Sequence, residues 1–153
     1  MMSPVKTRPA EARDLDALAA LFDAYRQFYE QPADLALARR YLGERFERRE
    51  SVILVAEHGD GTIVGFAQLY PAFCSVAADR TFVLYDLFVT PAARGTGAGR
   101  TLMQAAEAHA RAAGAARIEL QTAKTNVIGQ SLYESCGWKR DELFYNYAKS
   151  LRD

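Results

Sequence analysis

The chain is poor in the residues that build crosslinked or metal-bound scaffolds. Among its 153 residues are two cysteines, Cys74 and Cys136, and two histidines, His58 and His109. The cysteines form no Cys-x-x-Cys pair and suggest no disulfide framework, so a reducing compartment fits best. The histidines are not spaced as a metal pair, which argues against zinc and leaves no metal site to expect. The longest apolar stretches, around 52–56 and 82–85, are far too short to span a bilayer. Residues 1–14 lack the apolar core of a secretory signal. Charge of one sign is also missing. Nineteen basic residues balance nineteen acidic ones, so net charge supports no broad attraction to nucleic acid or to an anionic membrane. The expectation is a cytoplasmic protein without nucleic-acid or membrane partners.

Half of the residues are hydrophobic and a quarter are charged, which excludes disorder and low-complexity architecture. No repeat or linker interrupts the chain, so residues 1–153 read as a single domain. Residues 5–8 read as a short strand ended by Pro9. Asp14 reads as the cap of a helix to about Glu30, with Leu15, Leu18, Phe22, Tyr25 and Tyr29 on one face. Gln31-Pro32 breaks it, and Asp34 starts a second helix with Leu35, Ala38, Leu42 and Phe46 inward. The mixed Arg and Glu of 39–50 read as a solvated face. Residues 51–57 and 62–70 read as strands joined by the hairpin turn Gly59-Asp60-Gly61. Pro71 is expected to end or bulge the second of them. Residues 81–90 form the most apolar strand, expected to be buried on both faces. A glycine-rich turn follows, then a helix to about 113 with Leu102, Ala106, His109 and Ala113 inward. Residues 117–122 read as a strand, 126–136 as a short helix, and 138–140 and 144–149 as two last strands. The order gives a mixed α/β domain with one βαβα unit in its second half.

The strongest local feature is the run Arg94-Gly95-Thr96-Gly97-Ala98-Gly99-Arg100. It follows the most apolar strand and opens a helix. Glycines there let the backbone approach a ligand, and the first helical N–H groups point outward with the positive end of the helix dipole behind them. Arg94 and Arg100 add positive charge and bidentate donors. The run predicts a phosphate or pyrophosphate site. It fails the dinucleotide pattern G-x-G-x-x-G/A from either Gly95 or Gly97. It also fails the P-loop pattern, having neither the second glycine nor the lysine. A tight strand-to-helix turn without a ligand is the plainer alternative.

Arg94-x-x-Gly97-x-Gly99 resembles the R/Q-x-x-G-x-G/A signature of the GNAT superfamily of N-acetyltransferases. The resemblance extends to Tyr85-Asp86-Leu87-Phe88-Val89, to Asn126, and to Leu132-Tyr133-Glu134 through Gly137-Trp138. It covers nearly the whole chain. A looser resemblance, carried by Tyr25-x-x-Phe28-Tyr29, Asp86 to Val89 and Leu143-Phe144-Tyr145, is to the branch with yeast histone and polyamine acetyltransferases. The family resemblance implies a central mixed, mostly antiparallel sheet of about seven strands. About four helices would flank it, and it would splay where acetyl-CoA binds. It also implies acetyl transfer from acetyl-CoA to a primary amine, of a small molecule or a peptide, directly within a ternary complex. Gly95, Thr96, Gly97, Gly99 and the two arginines would hold the pyrophosphate. The backbones of Phe88 and Val89 would pair with the pantetheine amides as an added strand would. Many relatives pair, so a homodimer is compatible.

Such a transfer needs a neutral amine and a proton for the departing thiolate. Free alkyl amines titrate near 10.4, so a base or a water chain must take a proton first. Asp86 is the first candidate because it interrupts an apolar strand, where a carboxylate is costly unless paired or functional. A structural aspartate is the alternative, and Glu57 or a tyrosine could share the task. Tyr133 lies about 100° from Leu132, off the apolar line of its helix. The resemblance makes it the acid that protonates the CoA sulfur; a packing tyrosine is the alternative. Asn126 is a good N-cap, and its family counterpart contacts the CoA arm. Gly129 departs from the family, where alanine is common. Tyr25, Phe28, Tyr29, Tyr70, Phe73, Ser75 and Tyr145 are candidates for an aromatic acceptor pocket suited to a cation, or ordinary core. A CoA-binding regulatory module, or an enzyme using another acyl-CoA, would carry most of the same features.

Overall fold

The computed structural model describes residues 4–152. Five strands form one sheet in the order β1 to β5: β1 (Lys6–Pro9), β2 (Val52–Glu57), β3 (Ile63–Cys74), β4 (Asp79–Val89) and β5 (Arg117–Glu119). The first three junctions are antiparallel and β4–β5 is parallel. Four α-helices accompany it: α1 (Leu15–Phe28), α2 (Leu35–Glu47), α3 (Ala98–Ala112) and α4 (Val127–Ser135). The mixed α/β class and the four helices match the sequence reading, but the sheet has five strands rather than about seven. The chain clusters into two compact units, Met1–Gln121 and Thr122–Asp153. The whole sheet and the first three helices lie in the first.

The β2–β3 hairpin forms where Gly59-Asp60-Gly61 predicted it. Gly61 takes φ +87°, and the Asp60 carboxylate accepts from the Thr62 amide at 2.9 Å. Strand β3 runs straight through Pro71, which pairs with Phe82. Past Leu69, β3 has only β4 beside it. The missing proline N–H therefore falls on a free edge and costs no ladder bond.

Alternation along β2 and β3 sends Ile53, Val55 and Phe66 to one face, where Leu18, Leu21 and Phe22 of α1 and Ala38 and Leu42 of α2 complete a buried cluster with Phe88. On the other face α3 buries Ala98, Leu102, Met103, Ala106 and Ala110. His109 is only half-buried, edge-on to Phe82, and Ala113 is exposed, so the inward stripe lies one step round from the expected one. Leu35 is exposed rather than inward. Strand β4 is not buried on both faces: Tyr85 stands 65% exposed, although its neighbours Leu84 and Asp86 are buried.

Asp34 caps α2 as expected, accepting from the Leu37 amide at 3.0 Å. Asp14 does not cap α1. Its carboxylate turns back to accept from the Glu11 amide at 2.7 Å and from both terminal nitrogens of Arg8 at 2.7 and 3.0 Å. In the second unit, residues 138–140 and 144–149 carry no strand. Phe144, Tyr145 and Tyr147 are 81 to 91% exposed. Their apolar spacing suggested strands, but a strand needs a paired edge as well as a pattern.

Candidate active site

Two irregularities of β4 create the site in the first unit. The first is a bulge. Gln68 pairs with Asp86, but the next residue of β3, Leu69, pairs with Leu84, leaving Tyr85 unopposed. The extra residue bends the strand and aims Tyr85 outward. The second is a splay. Strand β5 pairs with β4 only from Thr81 to Val83, so among the described residues no strand pairs with 84–89 on that side. The Thr90 amide donates to Val64 O at 2.8 Å. Counting by twos down this antiparallel ladder, Phe88 exchanges its bonds with Phe66, while the main chains of Leu87 and Val89 face the open edge. Of the two expected residues, Val89 faces the open edge, beside Leu87, whereas Phe88 exchanges its bonds with Phe66 and packs in the core. Val89 O already accepts from Arg94 Nε at 3.1 Å, and that guanidinium lies 5.6 Å from the Phe88 ring centroid.

The glycine run follows directly. Gly95 and Gly97 take φ +78° and +88°, the left-handed region that glycine enters without strain. Gly97 ends in the N-cap position of α3, and its carbonyl accepts from the Thr101 amide at 3.0 Å. The Thr96 hydroxyl turns inward to Ala93 O. Among the described residues, the main-chain amides of Gly95, Thr96, Gly97, Ala98 and Gly99 donate to no protein acceptor. Arg94, Gly95, Gly97 and Arg100 are exposed around them. Five orphan donors at the positive end of a fifteen-residue helix, flanked by guanidinium groups, fit the phosphate end of a nucleotide-tailed ligand.

Beneath the bulge, Asp86 is 6% exposed and Gln68 is fully buried. Gln68 Nε2 donates to Asp86 Oδ2 at 2.7 Å, and Gln68 Oε1 accepts from Ser51 Oγ at 2.7 Å. Burial pushes the Asp86 carboxyl above the usual range, and hydrogen bonds from Gln68 and Tyr25 oppose that rise. Tyrosines surround it. The Tyr25 hydroxyl donates to Tyr85 O at 3.3 Å. Tyr70 meets the Tyr85 ring edge-on at 5.5 Å and shares a 2.7 Å hydrogen bond with Tyr41. Burial and the nearby Asp86 charge raise the Tyr25 phenol. Burial raises that of Tyr70, helped by its bond to Tyr41. Both therefore stay neutral at ordinary pH. Tyr29 and Phe28 continue the aromatic series outward at centroid spacings of 5.1 and 5.2 Å.

Tyr25, Phe28, Tyr29 and Tyr70 thus gather around or lead away from Asp86. Phe73 does not. It pairs with Arg80, three register positions beyond Tyr70, and is 78% exposed. Both oxygens of Glu57 are engaged by Arg8 at 3.2 and 3.1 Å. Gln68, Ser51 and Tyr41 were missed. Gln68 interrupts an apolar run as plainly as Asp86 does, and that signal was available.

In the second unit, Asn126 caps α4. Its Oδ1 accepts from the Gly129 amide at 3.1 Å and its Nδ2 donates to Thr122 Oγ1 at 2.9 Å. A Cβ on residue 129 would collide with that amide. Tyr133 is half-buried on α4, and its carbonyl accepts from the Trp138 amide at 3.1 Å. Tyr145 belongs to the exposed C-terminal stretch. Among the described residues no cluster of three His, Cys, Asp or Glu could hold a metal, and no helix is long and apolar enough to cross a membrane.

Residues 16–138 match the model of the acetyltransferase (GNAT) family. The chain is 46% identical over 144 residues to the uncharacterized N-acetyltransferase YhfO of Bacillus subtilis, covering 94% of this chain and 96% of that protein. It is 32% identical over 92 residues to a probable acetyltransferase of Haemophilus influenzae, covering 60% of this chain and 63% of that protein. A crystal structure of a probable acetyltransferase superposes with a TM-score of 0.91 at 36% identity, covering 97% of this chain and 99% of that one. With its splayed fourth strand and its orphan amides at the start of α3, the chain belongs to the GNAT family of acetyltransferases.

Proposed function

We propose that the protein, read as a single domain over residues 1–153, is an acetyl-CoA-dependent N-acetyltransferase that acetylates a primary amine by direct transfer. The five unsatisfied amides from Gly95 to Gly99 carry this reading. They hold the pyrophosphate with Arg94 and Arg100, while the open main chain at Leu87 and Val89 holds the pantetheine arm. Acetyl-CoA supplies an activated acetyl thioester. Asp86 takes the proton from the acceptor ammonium. Tyr25, Tyr29 and Tyr70 present aromatic faces to it, and Tyr25 and Tyr70 neutral hydroxyls. Tyr133 gives its phenolic proton to the leaving sulfur, and Asn126 orders the helix that carries it. The motif at Tyr25-x-x-Phe28-Tyr29, which resembles histone and polyamine acetyltransferases, supports an amine acceptor of a small molecule or peptide. A cytoplasmic location and a homodimer accord with this reading.

The test is CoA-thiol release from acetyl-CoA with a panel of amino acids, polyamines, aromatic amines and lysine peptides. Saturable, acceptor-dependent release supports the reading. Tight CoA binding with no release for any acceptor would make the protein a binding module instead.

A further inference from the structure

Gln68 has no counterpart in the chemistry described so far. It is a fully buried amide between a half-buried serine hydroxyl and a buried carboxylate. A buried polar group inside a strand is retained only where its hydrogen bonds are met. Here both ends are met at 2.7 Å. The amide could in principle sit the other way round. That would set Oε1 against the ionised Asp86, two acceptors facing each other, so the carboxylate charge and the Ser51 donor together select the orientation observed.

We propose that Gln68 is a positioning residue for Asp86: its N–H, oriented through Ser51, occupies Oδ2, so that the proton drawn from the acceptor ammonium is taken on Oδ1. This rests on the reading of Asp86 as the base. In that step an ammonium N–H bond breaks, its electron pair stays on nitrogen, and an O–H bond forms at Oδ1. Oδ2 remains an acceptor from Gln68 throughout. The network needs no rearrangement when the proton arrives, which suits a group that must cycle between two charge states inside the protein. Tyr25 also bonds to the carboxyl, but Gln68 makes its 2.7 Å hydrogen bond. The titratable groups facing Asp86 are Tyr25 from α1 and Tyr70 from β3, with Tyr85 beside it in β4. On α2, Arg45 stacks on Tyr41 with its guanidinium 4.6 Å from the ring centroid, and pairs with Glu44 and Glu50. Among the described residues no cation lies within ion-pair distance of Asp86.

The experiment follows the Asp86 carboxyl carbon by NMR against pH in ligand-free protein labelled at aspartate, with the signal assigned by its loss in Asp86→Asn. In Gln68→Met, which keeps length and loses the donor, the midpoint should rise by about one pH unit or more. Ser51→Ala should move it the same way by less, and Ser51→Thr should restore it. A folded Gln68→Met with the wild-type midpoint overturns the proposal. Should that variant not fold, Ser51→Ala with an unmoved midpoint overturns it equally. The titration needs no turnover. Full activity in Asp86→Asn would therefore sink the base reading, while an unmoved midpoint sinks only the role of Gln68.

Discussion

Replacing Gly97 by alanine separates two functions that a glycine turn can have. Gly97 sits at φ +88°, and a Cβ built there meets no protein atom within 4 Å. The fold therefore loses only the backbone term, roughly 1–2 kcal/mol for an L-residue in the left-handed region. Gly114, just past the end of α3, is its matched control, with φ +76° and the same open space around a Cβ. Both variants should lower Tm by a similar amount, about 2–8 °C. They should differ in ligand binding. Gly97 lies within the run of orphan amides, so a methyl group there stands in the path of a phosphate. Losing one charge-assisted bond of about 1.5–3 kcal/mol weakens CoA roughly 10- to 100-fold. Gly114→Ala should leave CoA affinity unchanged. Calorimetric titration with CoA, paired with melting curves, reads both effects. Equal CoA affinity in the two variants would refute the assignment of these amides to the phosphate.

Three further variants test the same picture. Tyr133→Phe should lower kcat by about 100-fold or more while CoA affinity holds, and an unchanged kcat would remove Tyr133 as the acid. Asp86→Asn should lower kcat/KM and abolish the acidic limb of its pH profile, because activity needs the ionised carboxylate and fades as pH falls through its raised pKa. The same variant should be more stable than wild type at neutral pH. Native Asp86 binds its proton more tightly than the unfolded chain does, so its penalty grows as pH rises and disappears below about pH 4; melting curves across pH check the sign. Arg8→Gln should cost about 2 kcal/mol at pH 7 by leaving Asp14, whose side chain is 6% exposed, without its guanidinium. Arg8 holds the Asp14 carboxyl below its usual pKa, so this cost should shrink as acid protonates the group.

What could be read in advance was local. Asp34 and Asn126 announce helix starts because a short side-chain acceptor reaches an orphan amide two or three residues on. The glycine run announces a strand-to-helix turn with open amides because its backbone conformation depends on few distant neighbours. Asp14 misled because the same carboxylate can serve a helix amide or an arginine, and only the fold brings Arg8 to it. The bulge at Tyr85 left no mark in the sequence, since it arises from the relative registers of two strands. That register decides whether Leu87 or Phe88 faces the open edge. Gln68 was visible as a polar break in a strand, but its meaning required knowing that Asp86 lies opposite.

The short reach of β5 has a cost outside chemistry. From Leu84 to Val89 the fourth strand has, among the described residues, no strand paired on its β5 side, and there Arg94 reaches the main chain of Val89 and Tyr25 that of Tyr85. An unpaired edge is a template on which an extended chain, including a second molecule of the same protein, can add. A bound cofactor arm would close it, so depletion of the acyl donor should expose the protein to self-association as well as idle it.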